Sequence, residues 1–212
     1  MNHTLKVLIA DDHVIFREGL KQVLARTANM GVADEVADGR DVLAKIRDND
    51  YDLLILDISL PGRSGLDILP EVKALRPKLP VLILSMHPEE QYALRALKTG
   101  AAGYLTKGSS SFELIDALQK IAMGKKYVSS SMAEMLASRL DSDADRPLHE
   151  LLSDREFQVM RMIAAGATPK KIAEELMIGI KTVNTYRVRI LQKMEMTCNA
   201  DLTRYAMQNG LI

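Results

Sequence analysis

The stretch DLLILDISLPGRSG, residues 52–65, decides the fold. Leu53, Leu54, Ile55 and Leu56 run apolar without alternation, the pattern of a strand buried on both faces of a parallel sheet. The run ends on Asp57. A carboxylate there must be hydrogen-bonded, paired, metal-bound or reactive, because taking it out of water otherwise costs several kcal/mol.

Working outward, LKVLIA (5–10), GVADEVA (31–37), DLLILD (52–57), PVLILS (80–85) and AAGYLT (101–106) predict five strands. Helical periodicity falls between and after them, at 14–27, 39–48, 64–76, 88–99 and 111–123. Five such units predict an α/β fold, a five-stranded doubly wound parallel sheet with right-handed crossovers and helices on both faces. Residues 129–140 predict another helix, and DSDADRPLHE (141–150) interrupts the pattern with acids and a proline, as a linker does. The remainder reads as a small all-α domain, with helices at 153–165, 169–176, 181–194 and about 200–209. The expected division is 1–124, a linker with its helix over 125–147, and 148–212.

Composition narrows the class. A hydrophobic fraction of 47% and a charged fraction of 26% describe an ordinary globular chain rather than a disordered or membrane-embedded one. No secretory signal is visible at MNHTLKVLIADD, and no apolar run approaches the roughly 18 residues of a membrane span, so a cytoplasmic protein is expected. The single cysteine, Cys198, has no partner for a disulfide or a zinc site and reads as a small, partly buried side chain. Net charge is zero, but residues 1–150 carry 19 Lys and Arg against 22 Asp and Glu, while 151–212 carry 9 against 6. Within the second part, KTVNTYRVRILQK (181–193) holds four basic residues and no acidic one.

In an open parallel sheet, ligands bind at the carboxyl ends of the strands, near the point where strand order reverses. Polar residues gather at those ends: Asp11 and Asp12 after the first strand, Asp57 after the third, Ser85 on the fourth, and Tyr104 to Lys107 along the fifth. Three converging carboxylates call for a cation, and such hard oxygen ligands suit Mg²⁺. A carboxylate can also attack phosphorus to form an aspartyl phosphate. The transferring group then needs charge neutralisation and fixed geometry, roles open to the metal, the Lys107 ammonium and the Ser85 hydroxyl. Taken singly, Asp12 reads as the cap of a helix starting near His13, Lys107 as a surface charge and Tyr104 as core with a wet tip. His13 and His87 read as rim residues.

The set LIADDH, LLILDISLPGRSGLDIL, VLILSMH and AAGYLTK resembles the receiver domain of bacterial two-component response regulators, a flavodoxin-like fold, over about residues 4–124. The resemblance implies that Asp57 accepts phosphate from a sensor histidine kinase, with Asp11, Asp12, Asp57 and the Ser59 backbone carbonyl holding Mg²⁺. It further implies that Ser85 and Tyr104 form a switch pair and that Lys107 binds the phosphoryl oxygens. Gly108 stands where this family commonly has proline.

In the second part, SDRE (153–156) is a capping box opening a helix that buries Phe157, Met160 and Ile163 or Ala164. Thr168-Pro169 starts a short helix with Ile172, Ala173 and Leu176 inward. A tight turn leads to a longer helix with Val183, Ile190 and Met194 on one face, and Lys181, Asn184, Thr185, Val188 and Arg189 on the other. A short helix, a turn and a longer helix with a basic polar face describe a helix-turn-helix whose second helix enters the major groove, although a plain helical bundle fits the same pattern. The segment LSDREFQVMRMIAAGATPKKIAEELMIGIKTVNTYRVRILQKM is similar to the LuxR-type DNA-binding domain of the NarL/FixJ class. By that resemblance Asn184, Thr185 and Val188 face bases, Lys181, Thr182, Arg189 and Lys193 meet the DNA backbone, and the last helix pairs with its twin in a homodimer. Gly179 stands where a serine usually caps the recognition helix, Pro169 replaces a more usual polar residue, and Tyr186 replaces a common histidine.

Together these readings describe a phosphorylation-controlled transcription regulator acting on double-stranded promoter DNA, with a sensor kinase as partner, room for RNA polymerase as another, and no membrane role. An aspartyl-phosphate phosphatase would place a second carboxylate at position 59, which is Ser59 here, so an enzyme is not expected. The remaining alternative is a constitutive DNA-binding regulator whose receiver is only a protein-interaction module.

Overall fold

The computed structural model describes residues 4–27, 29–140 and 147–212. The chain divides into two compact units, Met1–Asp143 and Ala144–Ile212. In the first, β1 (Leu5–Ala10), α1 (Val14–Ala25), β2 (Met30–Val36), α2 (Gly39–Asp48), β3 (Leu53–Leu56), α3 (Gly65–Leu75), β4 (Val81–Ser85), α4 (Glu89–Thr99), β5 (Gly103–Thr106), α5 (Ser111–Ala122) and α6 (Ser130–Leu140) follow in order. All five strands pair in parallel in the order β2-β1-β3-β4-β5. This is the doubly wound sheet expected from the alternation of apolar runs and amphipathic segments.

Sheet position explains the uniform apolarity of residues 53–56. The β3 strand lies between β1 and β4, so helices cover both of its faces. Val7, Ile9, Leu53, Ile55, Leu82, Leu84 and Leu105 share one core cluster with Leu20 and Leu24 of α1 and Leu114, Leu118 and Ile121 of α5. Leu8, Leu54, Leu56, Val81 and Ile83 alternate to the other face and are equally buried. Each such aliphatic side chain contributes roughly 1.5–3 kcal/mol of burial. That packing stabilises the sheet as a rigid mount. Strand order reverses between β1 and β3, so the residues after them, Asp11 and Asp57, flank the crevice where such folds bind ligands.

Helix starts refine the expectations. The N-cap of α1 is His13, with no side-chain capping bond, so Asp12 is not a cap. Asp38 caps α2 by accepting from the Arg40 N–H at 2.8 Å, and Ser110 with Glu113 forms a capping box on α5. Past residue 124 the chain stays with the first unit: the Tyr127 N–H donates to the Ala102 carbonyl at 2.8 Å and its side chain joins the core. Residues 141–146 of the expected linker lie outside the described residues.

In the second unit, a 3₁₀ turn (Leu148–Leu151) precedes α7 (Asp154–Ala164), α8 (Pro169–Glu175), α9 (Ile180–Lys193) and α10 (Asn199–Gln208). The turn takes the end of the expected linker, and His149 Nδ1 lies 2.9 Å from the Tyr205 hydroxyl. The capping box of Ser153 and Glu156 is present, Thr168 caps α8, and Gly166 ends the turn after α7 at φ +83°. Phe157, Met160, Ile172, Val183, Ile190 and Leu202 are buried at the centre, while Leu176 is half-buried. Cys198 departs from expectation: it is exposed at the N-cap of α10, because the start of a helix after a tight turn faces solvent. No helix among the described residues is long and apolar enough to cross a membrane.

Two glycines separate space from propensity. A Cβ on Gly65 would meet the Asp57 carbonyl oxygen at 2.0 Å, whereas one on Gly19, within α1, would meet nothing within 4 Å. In urea denaturation, Gly65→Ala is expected to cost about 3 kcal/mol or more through backbone clash. Gly19→Ala should instead add about 0.5–1 kcal/mol through helix propensity.

Candidate functional site

The centre of the crevice is a charge cluster built on strand ends. Asp57 is 1% exposed, Asp11 is 2% exposed, and the Lys107 ammonium lies 2.8 Å from Asp57 Oδ2 and 2.7 Å from Asp11 Oδ2. Backbone bonds hold all three: the Asp11 N–H donates to the Val36 carbonyl at 3.0 Å, the Asp57 N–H to the Ala10 carbonyl at 2.9 Å, and the Lys107 N–H to the Ser85 carbonyl at 2.7 Å. Burial pushes the Asp57 carboxyl above the usual carboxylate range, with Lys107 pulling it back down and Asp11 adding to the rise. Ser59 donates its N–H to Asp57 Oδ1 at 3.3 Å.

Asp11, Asp12, His13 and Asp57 offer ligand atoms that all lie within 4.8 Å of one another. Asp12 Oδ1 is buried and accepts no hydrogen bond, and His13 Nδ1 stands 2.8 Å away. A buried carboxylate oxygen that accepts no hydrogen bond, set beside two other carboxylates, fits a small divalent cation held by hard oxygens. His13 is exposed at the rim of the cluster, as expected, with Nδ1 facing the carboxylates. Its backbone N–H donates to Asp11 Oδ1 at 2.8 Å, and its Nδ1 lies 3.2 Å from the same oxygen.

Ser85 and Tyr104 lie behind the acidic residues, both fully buried. The His87 N–H donates to Ser85 Oγ at 3.2 Å, and the Tyr104 hydroxyl donates to the His87 carbonyl at 2.8 Å, so the ring is in its inward position. Burial pushes the Tyr104 hydroxyl above its ordinary range. His87 itself packs against Tyr92, with ring centroids 4.8 Å apart, and its Nε2 is 3.3 Å from Ser59 Oγ. Two residues on, Glu89 at the start of α4 accepts hydrogen bonds from the hydroxyls of Ser129 and Ser131. Ser129 Oγ also accepts from the Met132 N–H at 3.2 Å at the start of α6. This link between α4 and α6 gives no sequence signal, because serine and glutamate are ordinary surface residues 40 positions apart.

In the second unit, Lys181, Thr182, Asn184, Thr185, Val188 and Arg189 are exposed on α9, opposite the buried Val183 and Ile190. Lys193 differs from the rest of the predicted contacts: its ammonium lies 2.6 Å from Oε2 of Glu156, itself 4% exposed. Arg187, within the same basic stripe, donates to Asn199 Oδ1 at 2.6 Å.

A doubly wound sheet with this acidic cluster, followed by a helix-turn-helix, defines a response regulator. Residues 7–119 match the response regulator receiver domain, and residues 150–206 match the bacterial regulatory proteins of the luxR family. The chain is 31% identical over 208 residues to the response regulator UvrY of Escherichia coli, spanning 98% of this chain and 95% of that one. It is similar to RcsB from Salmonella enterica serovar Typhimurium bound to a promoter in the presence of phosphomimetic beryllofluoride, with a TM-score of 0.62 and 26% identity over 96% of this chain and 98% of that one. A structure of two RcsB dimers bound to two parallel DNAs is also similar, with a TM-score of 0.61 and 25% identity over 97% of this chain and 98% of that one. The chain thus belongs to the NarL/FixJ class of two-component response regulators, with a receiver domain and a LuxR-type DNA-binding domain.

The cluster sets a stability prediction. A carboxyl raised in the folded state binds more protons there than in the unfolded chain, so its contribution to stability falls as pH rises above the ordinary aspartate range. Asp57→Asn leaves Lys107 balanced by Asp11, and is expected to unfold at higher urea than wild type at pH 7, by on the order of 1 kcal/mol. That advantage should shrink as pH falls toward about 4.

Proposed function

We propose that this protein is a phosphorylation-controlled transcription regulator in which Asp57 is the phosphoacceptor. The observation carrying the reading is Asp57 itself, a buried carboxylate 2.8 Å from the Lys107 ammonium and beside Asp11 and Asp12. A phosphohistidine on a sensor kinase is the donor: an Asp57 carboxylate oxygen bonds to phosphorus as the P–N bond breaks, and the imidazole leaves with the electron pair. Asp11, Asp12, Asp57 and the Ser59 carbonyl would hold Mg²⁺, which neutralises phosphoryl charge when bound. Lys107 meets the phosphoryl oxygens from the other side.

Ser85 and Tyr104 act as the switch pair, since Ser85 Oγ and the Tyr104 hydroxyl share the His87 backbone. Phosphate must contact one arrangement of this pair better than the other to shift the population. The shifted state favours homodimers on promoter half-sites, a reading supported by the dimers of the related RcsB structure. On DNA, Asn184, Thr185 and Val188 face bases, while Lys181, Thr182 and Arg189 face phosphates. Lys193 remains tied to Glu156 and holds the recognition helix against α7.

Intact mass and light scattering with Mg²⁺ and acetyl phosphate test the switch. Wild type is expected to gain one phosphoryl adduct and dimerise, and Asp57→Asn to do neither. A wild type without adduct that still binds its promoter would leave the constitutive alternative. On DNA, Arg189→Ala should reduce the slope of log affinity against log salt by about 0.9. Lys193→Ala should change it far less, and equal slopes for the two variants would refute this assignment of roles.

A further inference from the structure

The Lys107 ammonium has a fourth neighbour that is neither carboxylate nor imidazole. The ring of Phe16, on the first turn of α1, has its centroid 4.9 Å from Lys107 Nζ. An ammonium offers three donors, and Asp11 Oδ2, Asp57 Oδ2 and His13 Nδ1, the last at 3.3 Å, take up that capacity. The Lys107 side chain is only 2% exposed. On the side of the ring, the ammonium therefore meets a π-face where water would otherwise stand, and a cation near an aromatic face is attracted by the ring quadrupole.

Core filling alone does not account for this ring. Phe16 is half-buried and packs on the α1–α5 side of the sheet, and it also lines an open groove of about 420 Å³ with Leu20, Leu84, Met86, Lys107 and Leu114. At the edge of that groove its ring lies against a charge, 4.9 Å from Lys107 Nζ. A ring face also has no hydrogen-bonding atom to compete with the phosphoacceptor. Its attraction is less directional than a hydrogen bond, so it persists when the ammonium shifts from Asp11 toward a group on Asp57.

We propose that Phe16 is a positioning residue for Lys107, holding the ammonium toward Asp57 and keeping water off it so that it binds a phosphoryl group at full strength. This rests on the phosphoacceptor reading of Asp57. It assigns Phe16 a part in phosphoryl binding without contact to the phosphoryl group.

The test measures beryllofluoride binding in the presence of Mg²⁺ by fluorine NMR on the full chain, for wild type, Phe16→Leu, Phe16→Met and Phe16→Tyr. The aliphatic variants keep apolar bulk and remove the π-face; tyrosine restores it. Phe16→Leu and Phe16→Met are expected to weaken binding about three- to thirty-fold. Phe16→Tyr should stay within about two-fold of wild type. The ring-current shift of the Lys107 ε-methylene protons should be present in wild type and Phe16→Tyr and absent from the aliphatic variants. Should Phe16→Leu fail to fold, Phe16→Met carries the comparison. Wild-type binding in the aliphatic variants would overturn the proposal, as would a tyrosine variant weakened as much as they are. No binding by wild type would overturn the phosphoacceptor reading itself, and the positioning role with it.

Discussion

The buried ammonium of Lys107 between Asp11 and Asp57 is the interaction on which the first unit depends. Two carboxylates at the ends of adjacent strands repel at short range, and in a poorly solvated crevice that repulsion is little screened. One lysine cannot neutralise both. The cluster is left net acidic, with the Asp57 carboxyl raised by burial and Asp12 Oδ1 unsatisfied. A site in this condition costs stability, and the strand core around Leu54, Ile55 and Ile83 offsets that cost. The same condition fits the site to a divalent cation held by hard oxygens, which would bring the positive charge the cluster lacks.

Outward from the cluster, connection runs through short backbone segments. Ser85, His87 and Glu89 follow one another from the end of β4 into α4, and each is engaged on a different side: Ser85 near the acidic site, His87 with Tyr104, and Glu89 with the serines that begin α6. This ties the start of α6 to the residues that follow β4, by covalent continuity and hydrogen bonds rather than by a long chain of packed side chains.

The DNA-binding unit resolves a different conflict. Its recognition helix must leave polar and basic groups free for DNA while still being held to its own small core. Val183 and Ile190 supply apolar anchorage, Lys193 pairs with Glu156, Arg187 donates to the Asn199 amide oxygen, and Lys181, Asn184, Thr185 and Arg189 stay exposed. The basic stripe of residues 181–193 is thus divided between side chains tied to neighbouring helices and side chains left exposed, a division invisible to charge counting.

Much of this was legible in the sequence because it is local or periodic. Alternating apolar runs specify strands and helices, the capping boxes at Ser110 and Ser153 mark helix starts, and polar residues at strand ends mark a crevice whose place follows from sheet topology. Those signals act over a few residues, or through burial patterns that strand pairing must respect. Only the tertiary structure decided which neighbours each side chain meets: His13 turned into the cluster, Phe16 beside Lys107, Lys193 tied to Glu156, Glu89 bound to the start of α6, and Cys198 left in solvent. These contacts join residues of ordinary type, most of them across tens of positions. Their distances are set by how helices pack on the sheet and on one another, a property of the whole chain that no single stretch encodes.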